Sequence, residues 1–171
     1  MADFFKPQVT SAYILLNFGY TSTSIYLFDA QTHMILLTRT VKIGFELFLK
    51  ELRFNFELQE TKATEVFATL GFEKNTSYDI ASIVMPLMKE LLTELSKIIG
   101  YAKENISLKV SKIYVFSHTS YILSFDKKLS EALSLPVESL YLREVFVNNP
   151  VSQSYAQEMP SYICTIGSVL R

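Results

Sequence analysis

The sequence has no tryptophan, one cysteine, five glycines and five prolines in 171 residues. With Cys164 as the sole cysteine no intramolecular disulfide can form, which suits a reducing cytoplasm. Charge of either sign is scarce. Sixteen Lys and Arg face seventeen Asp and Glu, a net charge of −1. That balance excludes a generic nucleic-acid binder, which needs a cationic excess to neutralise phosphates. No apolar run approaches the roughly 20 residues of a membrane-spanning helix. Residues 1–7 lack the basic start and long apolar core of a secretory signal. What is abundant is apolar surface: 49% hydrophobic residues, with 13 Phe and 10 Tyr. The chain therefore reads as one folded domain over 1–171, with apolar surface to spare for a partner.

The pattern along the chain alternates strands and helices. Residues 12–16, 24–28 and 34–43 read as three strands of a meander, joined by turns at 17–21 and 29–32. Gly44 ends the sheet pattern. Helices are expected over 45–56 and 60–70, with Gly71 as a C-terminal cap. A long helix runs from an Asp79 cap to about Ala102, with a kink at Pro86 or a true start there. Strands over 112–116 and 136–142, helices over 124–133 and 159–170, and a loop at 148–150 complete the order. The fold class is α/β with a mixed sheet.

Common catalytic signatures are absent. There is no Gly-x-x-x-x-Gly-Lys-Ser/Thr loop, no Gly-x-Gly-x-x-Gly loop and no Gly-x-Ser-x-Gly elbow. No Cys/His cluster suggests zinc. His33 reads as a solvated turn residue, and Cys164 as a buried structural thiol among Ile163 and Ile166. The stretch 45–58 is different, packing four Phe and four Leu into fourteen residues. One helix face buries about half of these. The rest read either as a covered edge of the core or as an aromatic docking patch anchored by Phe45, Phe48, Leu52 and Phe56.

Several segments, in order, resemble the second half of the actin-like ATPases of the PilM, FtsA and GspL family. Asn17-Phe18-Gly19-Tyr20-Thr21-Ser22-Thr23 is similar to the second phosphate-binding hairpin. Arg39 to Gly44 resembles the strand that closes the meander, and Ala63-Thr64-Glu65 a short-helix signature. Glu94 and Lys97 stand where the family has Glu-x-x-Arg. Residues 112–116 lead to the family's adenosine loop, Leu133-Ser134-Leu135-Pro136-Val137-Glu138 resembles Leu-Gly-x-Pro-Val-Glu, and 160–171 resembles the closing helix.

The resemblance implies half of an actin-like, ribonuclease H-like fold with a small outer helical subdomain at about 45–74. It also brings ATP and Mg²⁺ as the family's ligands. Asn17, Gly19, Thr21, Ser22 and Thr23, with Ser117, His118, Thr119 and Ser120, would then border the nucleotide. Two departures argue against it. Asn17 replaces an acid and has no charge to hold a metal. Ser117 and His118 replace the Gly-Gly pair that lets backbone approach the purine. No cofactor, no metal and no catalysis are therefore expected. The implied role is a cytoplasmic scaffold, peripheral to the inner membrane, in a type IV pilus or type II secretion-like assembly. Its partner would be the cytoplasmic segment of a bitopic protein such as PilN, with self-association open. The alternatives are a nucleotide-binding subunit completed by a first half, and an unrelated α/β interaction domain.

Overall fold

The structure is a computed structural model that describes residues 11–73, 78–140, 153–154 and 162. The expected loop at 148–150, the helix at 159–170 and Cys164 lie outside the described residues.

Three antiparallel strands open the fold: β1 (Ser11–Phe18), β2 (Thr23–Asp29) and β3 (Ile35–Val41). β1 is buried along nearly its whole length, as a central strand covered on both faces should be. β2 alternates buried and half-buried residues. Asp29 makes the β2–β3 turn, its Oδ1 accepting from Gln31 N at 2.7 Å and Thr32 N at 3.3 Å. Helices α1 (Phe45–Phe56), α2 (Glu60–Thr69) and α3 (Ile80–Asn105) follow. Then come β4 (Lys109–Ser117), a one-turn 3-10 helix (His118–Tyr121), α4 (Phe125–Leu133) and β5 (Val137–Ser139). The five-stranded mixed sheet has the order β3-β2-β1-β4-β5, with β1, β4 and β5 parallel.

Two boundaries differ from the sequence expectation. Asn17 lies in β1, paired across to Ser24 and Phe116, because that strand has neighbours on both sides as far as Phe18. The turn is thus confined to residues 19–22. α3 begins at Ile80 and passes through Pro86 instead of starting there. Asp79 Oδ1 accepts from Ser82 N at 3.3 Å and caps it. Proline deprives the Ser82 carbonyl of its helical donor, but Ser82 and Pro86 are both exposed, so water can satisfy that carbonyl.

The main core lies on one face of the sheet. Ile14, Leu16, Phe18, Ile25 and Leu27 pack against Phe48 and Leu52 of α1, Phe67 of α2, Met88, Leu91 and Leu95 of α3, and Phe125 of α4. A smaller cluster of Tyr13, Leu15, Ala30, Phe116 and Leu140 occupies the opposite face. There the Tyr13 and Phe28 rings stack with centroids 5.1 Å apart.

Candidate functional site

β1 and β4 run parallel and end at the same edge, so the turn after β1 and the 3-10 turn after β4 lie side by side. The two segments singled out by the sequence, 17–23 and 117–120, therefore meet in space. α1 begins at the same place.

The first turn is closed on itself and on α1. Gly19 N donates to Asn17 O at 3.1 Å and Ser22 O at 3.0 Å. Phe45 N donates to Gly19 O at 3.0 Å and Glu46 N to Tyr20 O at 2.8 Å. These first-turn amides of α1 would otherwise be free to hold an anion. A Cβ on Gly44 would stand 2.4 Å from Tyr20 O and 2.6 Å from Ser22 N, so only glycine permits this approach. The Thr23 hydroxyl donates to Ile43 O at 2.6 Å in a buried position. Of the hairpin's polar side chains, Thr21 is exposed, and Asn17 and Ser22 are half-buried.

The second turn is built on an unusual backbone. Ser117 has φ 75° and ψ −125°, a left-handed conformation that suits glycine. The Ser120 hydroxyl donates back to Ser117 O at 3.2 Å, and Thr119 is buried. His118 Nδ1 lies 3.1 Å from Ser117 Oγ. Its ring stacks on Phe45 at 5.7 Å and 29°, with Tyr20 at 5.8 Å and Tyr121 at 5.6 Å. Burial holds its pKa below the usual histidine value, opposed by a hydrogen bond to the Phe18 backbone. The edge is thus an aromatic cage around an imidazole. Tyr20 and Tyr121 did not emerge from the sequence. Tyr20 lies inside the hairpin 17–23 and Tyr121 directly follows 117–120, so the signal was an aromatic residue at each of the two loops.

The expected docking patch is corrected. Phe45, Phe48 and Leu52 are buried in the main core, where sheet, α2 and α3 enclose α1. Phe56 is half-buried, with its ring edge-on to Tyr78 at 4.9 Å. The exposed aromatic on α1 is Phe54, 85% accessible.

Two further matched segments meet elsewhere. Arg39 of β3 pairs with Glu94 of α3, and Lys97 Nζ lies 2.6 Å from the other Glu94 oxygen. The Lys97 hydrogen bond, helped by Arg39, holds the Glu94 carboxyl below its usual range. This pairing ties the edge strand to the long helix. Among the described residues no group of three or more His, Cys, Asp or Glu is placed to hold a metal. No described helix is long and apolar enough to cross a membrane.

The strand order, the parallel β1–β4 pair and the convergent turns define a half of the actin-like fold. No protein-family model and no curated protein matches the chain. Solved structures do. The fold resembles PilM: it superposes on a PilM–PilN type IV pilus biogenesis complex with a TM-score of 0.76 at 22% identity, over 95% of this chain and 46% of that one. MreB5 of Spiroplasma citri bound to AMPPNP matches with a TM-score of 0.58 at 14% identity, over 94% of this chain and 55% of that one. The ethanolamine utilization protein EutJ from Carboxydothermus hydrogenoformans matches at 0.57 and 16% identity, over 75% of this chain and 44% of that one. The chain spans about half the length of the structures it matches.

Proposed function

We propose that this chain is a non-catalytic scaffold of a bacterial envelope assembly of the type IV pilus or secretion type. It binds the cytoplasmic segment of an inner-membrane partner and is itself cytoplasmic and peripheral to that membrane. The observation that carries the reading is the likeness to the PilM–PilN structure, 0.76 in TM-score against 0.58 and 0.57 for MreB5 and EutJ. The edge geometry supports the absence of catalysis. The α1 amides are taken by Gly19 and Tyr20 carbonyls, and Asn17 offers no charge to a metal. His118 and Ser117 carry side chains where a nucleotide loop needs bare backbone.

The test has two arms. The chain is mixed with the cytoplasmic peptide of a PilN-type partner from the same genome, and binding is measured calorimetrically. Saturable binding supports the scaffold; none at about 100 μM removes this partner. Thermal unfolding with and without millimolar Mg-ATP forms the second arm. A ligand at about 100 times its Kd stabilises by about 2.7 kcal/mol. The scaffold reading expects no shift.

A second reading, a nucleotide-binding subunit, is favoured by the meeting of 17–23 with 117–120 at one edge. It requires that midpoint to rise by several degrees. Asn17→Asp should then strengthen the effect in a Mg-dependent way.

A further inference from the structure

We propose that a second copy of this chain pairs antiparallel along β3, continuing the sheet across a two-fold axis at Thr38. The order β3-β2-β1-β4-β5 leaves two edges, and they are not alike. β5 is three residues long, and its Glu138 is held by Lys112 at 2.8 Å. A short strand carrying charge is one way proteins close an edge to further pairing. β3 is seven residues long, with neither proline nor lysine inside it. Among the described residues no strand pairs with its outer side. Thr38, Arg39 and Thr40 are exposed, and Ile35 is 55% accessible. Such a strand offers a row of backbone donors and acceptors to another strand.

The one charge inside β3 does not guard the edge. Arg39 lies across from Ile25, on the helix-covered face, and pairs there with Glu94 of α3. Lys97 Nζ lies 2.6 Å from the other Glu94 oxygen. β3 is parallel to β1 and β4, and α3 is the return that leads into β4. Lys97, one turn beyond Glu94, is therefore on the Thr38 side of the Arg39 pair. A two-fold axis at Thr38 turns Lys97 of each copy towards Glu94 of the other. This charge complementarity is what selects a second copy as the occupant of the edge.

The register follows from the strand itself. Thr38 is the midpoint of Ile35–Val41, so an axis there gives the longest overlap. Thr38 then faces its own twin, Arg39 faces Leu37 and Ile35 faces Val41. Threonine pairs suit opposed strands, and the stem of Arg39 covers Leu37. An axis one residue on would set two arginines opposite each other, which is unfavourable. Leu36, which the β2 pairing skips, lies outside the three central pairs. A strand pair with one helix flank buries less than the ~1,600 Å² of a standard interface, so the dimer is expected to form at about 10–100 μM chain.

Sedimentation of the whole protein between about 1 and 300 μM is expected to pass from monomer to dimer. Thr38→Cys locates the axis. Directly opposed residues of antiparallel strands have Cα atoms about 4.5–5.5 Å apart, within reach of a disulfide. Thr40→Cys, equally exposed, would stand about 13 Å along the strand from its twin, out of reach. Mild oxidation is expected to cross-link Thr38→Cys about tenfold faster than Thr40→Cys, the link being told from one at Cys164 by peptide mass spectrometry. Lys97→Glu, which sets like charges across the axis, should weaken the dimer about tenfold. A protein still monomeric at the top concentration overturns the proposal and leaves the edge to a strand of another protein, a result that needs no variant to fold. A dimer that cross-links equally at both positions, or that ignores Lys97→Glu, is made by another surface and overturns it as well.

Discussion

Ser134 ends α4 with φ 53° and ψ 36°, a position where helices favour glycine because a Cβ is crowded there. The chain resembles a Leu-Gly-x-Pro-Val-Glu segment at this point, with serine in the glycine's place. Ser117 repeats the case. Ser134→Gly should therefore stabilise the protein, by about 0.5–1 kcal/mol once the freer unfolded chain is counted. The thermal midpoint should rise by about 2–4 °C per kcal/mol. Ser130→Gly, inside α4, should instead cost about 1–2 kcal/mol, from helix propensity and from the lost hydrogen bond of its hydroxyl to Leu135 O, 2.7 Å away. Equal losses at both positions would refute the left-handed argument. The sequence showed that glycine was scarce and where serine stands in place of glycine in the segments it resembles. It could not show that the backbone is left-handed there, because φ at these positions is set by the elements they join. Gly44 is the reverse case. Its place at the end of the sheet pattern was legible, but its close approach to Tyr20 O was not, since the neighbour lies some twenty residues away.

α1 shows what periodicity can and cannot say about an element. The helix bounds were legible because seven apolar residues over 45–56 fall mostly at helical spacing. Which of them face water was not, because sheet, α2 and α3 surround this helix more fully than one amphipathic face would suggest. Phe48 meets Phe18 edge-on at 5.3 Å and Phe67 at 6.5 Å, and is fully buried. Phe48→Ala should cost about 3–5 kcal/mol. Phe54→Ala, on the same helix, should change stability by no more than about 0.5 kcal/mol. Urea unfolding of the two variants measures both. A large loss at Phe54 would mean that a neighbour covers it in solution. The long helix was legible through its Asp79 cap, yet its passage through Pro86 depended on which side of the helix the proline occupies. The same limit hid the ion pairs. Arg39 and Glu94 belonged to separate matched segments, and only the packing of α3 on the sheet brings them together.

On the scale of the whole molecule, the two faces of one sheet carry different chemistry. The helix-covered face is aliphatic and Phe-rich, whereas the opposite face gathers Tyr13, Tyr26, Phe28, Tyr114 and Phe116. This aromatic face was absent from the sequence reading, because β1 is apolar on both sides and shows no alternation to split. The order of elements was legible where the faces were not. The aromatic face makes the protein sensitive to alkali. Burial, with smaller contributions from Tyr114 and Asp29, pushes the Tyr13 hydroxyl up to about 12. Burial also raises Tyr114. The folded state thus disfavours the phenolate, while the unfolded chain ionises near pH 10. Stability from the neutral phenol is complete below pH 10 and is lost as pH rises from 10 towards 12. The urea midpoint should fall more steeply between pH 9 and 11.5 in the wild-type protein than in Tyr13→Phe. Parallel slopes would mean that Tyr13 ionises as freely folded as unfolded. The dependence would then belong to other groups, and the second face would be no sealed layer of the fold.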